Sequence, residues 1–366
     1  MKSRPSLVSL LFFFLCFAGL TCASGAAIAA RHVLVSIKPL ELIAAAITQG
    51  TSTTTEKLLK PGASPHAYSL HLTDRARIQN ADLVFWLGKD MEAFLEPALT
   101  SLPPAARATA LMEQPKQSGI RIMKFTNSKH VHATEHDPHT RPAPDSATAN
   151  VMQQVLRFLN LTKSDHVHPT ENDPHIWLAP DNAIAIANVM QQVLSEADAD
   201  NAAIYRKNHE DFVRKVNAVD AENKHLLEPV KERGFFVFHD AWNYFIHHYQ
   251  LNVIDSFVKS PENQMGAKHR SELRQALKKA GRTCVFHEPG MPADHLQTLL
   301  ANLDHVGRDV IDPLAGDIAP GPDAYPQFLR QLATTIHGCL VRQLPEAKET
   351  SVPQASRNTS RPQDNR

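Results

Sequence analysis

Histidine is the residue type in this sequence that points most directly to metal chemistry. The 366 residues include 20 His and only 4 Cys. Imidazole is a preferred ligand of zinc and other transition metals. The chain has 38 Lys and Arg against 38 Asp and Glu, so its formal net charge is zero. That balance lacks the basic excess typical of nucleic-acid binding, and no nucleic-acid partner is expected.

Four candidate ligands are expected on loops at strand ends. His239 follows an apolar run predicted as a strand, and Asp312 follows a second such run. His66 lies on a turn, and His175 precedes an apolar Ile-Trp-Leu run that is also predicted as a strand. Ligands of open α/β sheets collect beyond the carboxyl ends of the strands, so these loops could converge at one cleft. Three imidazoles with a carboxylate or water suit tetrahedral Zn²⁺.

The spacing of these residues does not by itself establish a metal site. A single His at a strand end is more often a hydrogen-bonded core or surface residue. A secreted zinc-dependent hydrolase is an alternative function, because Glu288 in a Phe-His-Glu-Pro motif could act as a general base beside zinc. No HExxH, GxSxG or P-loop motif accompanies Glu288, so we do not expect an enzyme.

The order of the secondary-structure patterns predicts an α/β protein of two lobes. Strands alternate with helices in both halves of the chain, which indicates a mainly parallel sheet flanked by helices in each lobe. Apolar residues at helical spacing from 201 to 230 predict one long helix, about 40 Å in length, that could run between the lobes. The predicted boundaries are 30–198 for the first lobe, 199–231 for the linking helix and 232–341 for the second lobe.

The first 29 residues have the features of an export signal. Lys2 and Arg4 precede an apolar run from 7 to 20, which is too short to span a bilayer of about 30 Å. Small residues then end in an A-x-A pattern at 27–29, where cleavage is expected. We therefore predict a soluble periplasmic protein, with a membrane anchor or a lipid-modified Cys22 as alternatives. The polar tail at 342–366 is predicted to be disordered.

Two cysteines remain after the predicted cleavage. Cys284 and Cys339 are 55 residues apart, and they form an even pair in an oxidising compartment. We predict that they form a disulfide, with two buried thiols as the alternative. On the chain-entropy model, a loop of this length is worth about 4 kcal/mol of stability.

A His-rich loop at about 115–172 contains an internal duplication. Residues 129–139 recur as 165–175, at an offset of 36. After His139 comes Thr-Arg-Pro, which cannot join a central strand, whereas an apolar run follows His175. The pattern therefore favours the second copy, which ends at His175, as the one that is anchored to the core. The remaining loop histidines are predicted to form a weaker, flexible zinc site, or else to belong to an inert spacer: residues 130, 132, 136, 139, 166 and 168.

Six separated motifs carry a resemblance to a known family. They occupy residues 36–40, 62–70, 81–88, 173–178, 238–241 and 312–314. In this order they resemble the periplasmic zinc-binding proteins of zinc ABC importers, which belong to the metal-specific solute-binding proteins. The resemblance covers about residues 32–340.

The resemblance implies two α/β lobes joined by one long rigid helix. It also implies that the protein holds Zn²⁺ between these lobes and delivers it to the membrane permease of an ABC importer. The zinc ligands of the family fall on His66, His175 and His239. Asp312 matches a position that is a ligand in some members, and Cys284 with Cys339 matches the family's disulfide. A monomer is expected.

The chain departs from the family pattern at one position beside the proposed site. Pro65 stands where close zinc-binding members have a Glu, so the fourth ligand stays open between Asp312, a water and a loop His. A manganese-binding member of the same family is an alternative. His239 argues against it, because Mn²⁺ is better served by oxygen-rich sites.

Overall fold

The computed structural model describes residues 31–125, 172–291 and 293–343. The predicted signal peptide, the duplicated part of the His-rich loop except residues 172–175, and nearly all of the predicted tail lie outside these ranges. Within them, no helix is both long enough and apolar enough to cross a membrane.

The first lobe is built on a four-stranded parallel sheet with the strand order β2-β1-β3-β4. The two central strands are apolar and almost completely buried, as expected for a parallel sheet that is covered on both faces. The two edge strands carry polar, exposed residues. The strands are β1 (His32–Val35), β2 (Thr54–Lys57), β3 (Leu83–Trp86) and β4 (Arg107–Ala110).

Helices connect and cover these strands. A proline lies in the first turn of α1 and of α5, where its missing N–H has no helical partner to lose. The helices are α1 (Lys38–Thr48), α2 (Leu72–Gln79), α3 (Lys89–Glu92), α4 (Glu96–Leu99) and α5 (Pro180–Ala197). Short 3₁₀ turns occur at Ala93–Leu95, Leu111–Glu113, Lys116–Ser118 and Ile176–Leu178.

The prediction of a strand after His175 is wrong. Ile176–Leu178 forms a 3₁₀ turn, and its three side chains are fully buried. An apolar run of three residues has no periodicity that separates a strand from a helical turn. The run is held by a side chain instead, because the Trp177 indole N–H donates to the Pro313 carbonyl at 2.8 Å.

One long helical run packs against both lobes. α6 (Ala202–Leu227) is extended by 3₁₀ turns at Ala199–Asn201 and Glu228–Val230, giving about 32 residues. It packs on α1 and α5 of the first lobe and on the last helix of the second lobe. Its buried residues include Phe212, Val216 and Val219, as the helical spacing predicts. The predicted long helix is therefore confirmed.

The second lobe repeats the strand order of the first. Its parallel sheet runs β6-β5-β7-β8, so in each sheet the first strand lies between the second and the third. The strands are β5 (Phe235–His239), β6 (Val253–Val258), β7 (Thr283–His287) and β8 (Val306–Val310). The helices are α7 (Asn243–Tyr249), α8 (Ala267–Ala280), α9 (Ala293–Leu299) and α10 (Ala324–Arg342). The predicted two-lobed α/β class is confirmed.

A disulfide joins the sheet of the second lobe to its last helix. Cys284 of β7 is bonded to Cys339 of α10, and both residues are completely buried. This confirms the predicted pairing. Gly307 of β8 lies against the bond, and a Cβ at this position would be 3.0 Å from the Cys339 Sγ and 3.2 Å from the Cys284 Sγ.

We predict that Gly307→Ala lowers the free energy of unfolding by about 1–3 kcal/mol, because an added methyl would overpack the disulfide. Urea denaturation measures the change. Gly321→Ala is the matched control, since a Cβ there would meet nothing within 4 Å, and it should stay within about 0.5 kcal/mol of the native protein. Equal effects of the two substitutions would contradict this account of the packing.

Candidate metal centre

Three histidines from distant parts of the chain meet between the lobes. His66 lies on the turn after β2, His175 directly precedes the 3₁₀ turn of the first lobe, and His239 is the last residue of β5. The Nε2 atom of His175 lies 3.3 Å from the Nε2 atoms of both His66 and His239. One nitrogen from each ring lies within 4.8 Å of those of the other two rings.

The two separations of 3.3 Å fit the edges of a zinc coordination tetrahedron. With Zn–N bonds of about 2.0–2.1 Å, neighbouring nitrogens on a tetrahedron lie about 3.3–3.4 Å apart. His175 and His239 are each only 2% exposed, whereas His66 is partly exposed. The described part of the chain contains no other group of three such side chains that could hold a metal ion.

Burial keeps one of the three imidazoles available to a cation. Desolvation, together with the neighbouring His175 and His239, lowers the pKa of His66 to about 2. A neutral ring keeps a nitrogen lone pair that can bind a metal ion. His66 therefore stays a competent ligand at pH values where an exposed histidine would be protonated.

Carboxylates hold two of the rings from their far sides. The Nδ1 of His175 lies 2.7 Å from the Oδ1 of Asp173, which is fully buried. The Nδ1 of His239 is hydrogen-bonded to the Oε1 of Glu288. A carboxylate at Nδ1 fixes that nitrogen as the donor and leaves Nε2 free for a metal. Asp240, which directly follows His239, accepts a hydrogen bond from the Asn243 side chain instead.

Sequence reasoning missed Asp173. The available signal was an aspartate two residues before a candidate ligand, with Pro174 between them. Asp173 is itself held by the second lobe, because Asn243 of α7 donates to its Oδ2 at 3.0 Å. The Tyr244 hydroxyl also donates to the Asp173 carbonyl, at 2.9 Å. The aspartate that orients His175 in the first lobe is therefore itself held by α7 of the second lobe.

The structure does not bring Asp312 into the histidine cluster. Its Oδ1 accepts the N–H of Leu314 at 2.8 Å, and its Oδ2 accepts the N–H of Gly316 at 2.6 Å. Burial raises the pKa of Asp312. Both carboxylate oxygens are thus engaged in shaping the loop, although the residue lines the same cavity as the histidines.

A cavity of about 910 Å³ opens beside the three histidines. The turn of residues 61–66 lines it from the first lobe, and residues 261–265, 288–291 and 312–314 line it from the second. Most of the wall is apolar, with Phe238 and Val258 among its side chains. The volume lies within the range of small-molecule pockets, about 300–1,000 Å³, and far exceeds that of a single ion.

A buried carboxyl group lies near the carboxyl end of the first sheet, apart from the histidines. Glu92 is fully buried, and the Leu87 N–H donates to its Oε2 at 2.7 Å. Desolvation raises the pKa of Glu92 to about 7. Glu92 therefore holds a proton in the folded protein at pH values where it would be ionised in the unfolded chain.

Two lobes with the same strand order, a long helix across both and a ligand cleft between them define a two-lobed solute-binding protein. Residues 33–339 match the family model ZnuA, described as "Zinc-uptake complex component A periplasmic". The chain belongs to this family, which confirms the resemblance of the six motifs. The family is a component of an uptake complex and not an enzyme.

Relatives and solved structures agree with this membership. The high-affinity zinc uptake system protein ZnuA of Brucella abortus (strain 2308) is 34% identical over 325 residues, 87% of this chain and 94% of that protein. A crystal structure of ZnuA matches with a TM-score of 0.64 at 22% identity, covering 85% of this chain and 99% of that one. The crystal structure of a zinc-bound ZnuA deletion mutant matches with a TM-score of 0.62 at 21% identity, covering 84% of this chain and 98% of that one.

We predict that Glu288→Gln and Asp173→Asn each weaken zinc binding about 10–100-fold, because each change removes the carboxylate that orients a ligand ring. Competition titration with a chromogenic chelator measures the affinity. Glu262→Gln is the control, since it removes an exposed carboxylate from the wall of the same cavity. A loss of affinity in Glu262→Gln as large as in the other two would mean that only cavity charge matters.

The raised pKa of Glu92 predicts a pH-dependent stability. The stabilising contribution of the proton is complete below the unfolded pKa near 4.5 and is lost as the pH rises through about 7. The free energy of unfolding of the native protein, relative to Glu92→Gln, should fall by up to about 1.4 kcal/mol per pH unit in this window. Urea melts of both metal-free proteins at several pH values test this, and parallel curves would contradict it.

Proposed function

We propose that this protein captures Zn²⁺ between its two lobes and delivers it to an ABC-type importer in the membrane. The observation that carries the proposal is the convergence of three imidazole nitrogens within 4.8 Å of one another, with two of the three separations at the edge length of a zinc tetrahedron. Membership of a zinc-uptake family supports it, as do relatives named high-affinity zinc uptake proteins.

The proposed zinc ligands are the Nε2 atoms of His66, His175 and His239. Each ligand approaches from a different segment, and two of them are oriented by carboxylates. Asp312 is proposed to shape the cavity wall, because its oxygens already accept backbone N–H groups. The fourth position on zinc is then left to a water or to a ligand from the cavity.

Transport of zinc fits the site better than the two alternatives. In a hydrolase, Glu288 would have to be free to activate a water, but it is bonded to the Nδ1 of His239. Manganese would call for more oxygen donors, whereas the cluster offers three nitrogens. Neither alternative has an observation in its favour.

The partners and location follow from the same proposal. Membership of the family implies a periplasmic protein. We propose that export uses the signal at 1–29 and that the mature chain is a monomer of two lobes, 30–198 and 232–341, with the linking helix at 199–231. Its cargo would pass to the permease of the importer.

We predict that His66→Ala, His175→Ala and His239→Ala each lower zinc affinity by more than the roughly 100-fold upper effect of losing an orienting carboxylate. His225→Ala is the matched control, because this exposed histidine lies on α6 away from the cleft. Isothermal and competition titrations measure the affinity. Unchanged zinc binding in all three variants would refute the ligand assignment.

Metal analysis of the protein purified without added metal separates the candidate functions. One equivalent of zinc, with no activity in a hydrolase screen, is expected. Bound manganese in place of zinc would favour the manganese alternative, and metal-dependent hydrolysis that is lost in Glu288→Gln would favour the hydrolase.

A further inference from the structure

We propose that the cleft binds zinc together with a small polycarboxylate anion, one carboxylate taking the open position on the metal and another pairing with Arg270. This inference rests on the proposed zinc function and names a second ligand of the same site. It follows from an incomplete coordination shell, from a cavity much larger than an ion, and from an unpaired cation in the wall of that cavity.

The described side chains supply only three ligands to a metal that prefers four. The candidate cluster contains His66, His175 and His239, and the carboxylates close to it are otherwise engaged. Glu288 is bonded to a histidine ring, and Asp312 accepts two backbone N–H groups. An exogenous oxygen ligand can therefore complete the tetrahedron without displacing a protein contact.

The fourth ligand has room to be larger than water. The three histidines line a cavity of about 910 Å³, whereas a water molecule occupies about 30 Å³ of liquid. The apolar wall that includes Val258, Met265 and Leu299 can cover the carbon skeleton of a small organic anion. Pockets of this size typically combine apolar walls with a few polar groups that fix the orientation of a ligand.

Arg270 supplies the complementary charge. It lies in the first turns of α8 and lines the same cavity. Its guanidinium donates only a long hydrogen bond, 3.4 Å, to the Met265 carbonyl, and it forms no ion pair with any residue in the described ranges. A guanidinium binds carboxylates through two parallel hydrogen bonds, so a free carboxylate of the anion fits it well. Glu262 and Asp317 also line the cavity and repel any anion, so binding of the anion depends on both the zinc ion and Arg270.

The test uses the full-length mature protein loaded with Co²⁺, whose visible absorption reports the number and type of its ligands. Citrate is titrated into the cobalt protein and, by calorimetry, into the zinc-loaded and metal-free proteins. We expect a saturable spectral change that keeps tetrahedral intensity, and binding of citrate at least tenfold tighter to the zinc-loaded protein than to the metal-free one. Acetate, which has no second carboxylate, should bind much more weakly.

Substitutions then assign the anion to Arg270. Arg270→Gln should weaken citrate binding about tenfold and leave the affinity for zinc alone unchanged. Lys268→Gln is the matched control, because it removes a positive charge from the same helix at a residue that does not line the cavity. If both variants lost the same affinity for citrate, the effect would come from the overall positive charge of the helix and not from a contact with Arg270, and the assignment would be overturned.

The outcomes distinguish the two levels of the proposal. A tetrahedral cobalt spectrum that citrate does not alter, or bleaches by removing the metal, overturns the ternary complex but leaves the zinc site standing. Absence of a tetrahedral spectrum before citrate is added overturns the zinc site, and the ternary complex falls with it.

Discussion

The site depends on holding three imidazole nitrogens within 4.8 Å of one another, two of them 3.3 Å from the Nε2 of His175, in a place largely closed to water. Three lone pairs directed at one point repel each other, and burial removes the water that would otherwise solvate them. Without a cation, this arrangement is maintained only if the surrounding structure enforces it. The carboxylates behind His175 and His239 do this locally, by orienting the two rings and by adding negative charge where a cation would bind.

The arrangement also requires the lobes to be fixed relative to each other. α6 packs on α1 and α5 on one side and on α10 on the other, so the main core is continuous through both lobes. Next to His175, the backbone of Trp177 is held by the Tyr325 hydroxyl of α10, which donates to its carbonyl at 2.6 Å. The geometry of the metal centre is therefore set by core packing as well as by the loops that carry the ligands.

Strong periodicity was sufficient to predict the two parallel sheets and the long helix, and an even pair of cysteines in an exported chain predicted the disulfide. The convergence of the three histidines was expected from their positions at strand ends and from the six motifs, and not from their spacing alone. Prediction from the sequence failed where local pattern and tertiary contact disagree. Ile176–Leu178 has strand-forming residues but is held by the indole of Trp177, and β4 is too polar to be distinguished from a loop. The sequence also could not predict the direction in which a carboxylate group points. Asp312 lies at a strand end as expected, yet its oxygens are directed to its own loop.

The three candidate ligands are not equivalent, and the difference bears on how a cation would enter and leave. His175 and His239 are buried and each has a carboxylate at Nδ1, so their positions are fixed before any metal arrives. His66 is partly exposed, lies on a turn that lines the open cavity, and has no carboxylate at Nδ1 among the residues described. Its backbone N–H has only a 3.3 Å contact with the Ser64 hydroxyl. A cation arriving through the cavity would thus meet two fixed ligands and one adjustable one, and the contact with His66 is the one that can open at the lowest cost.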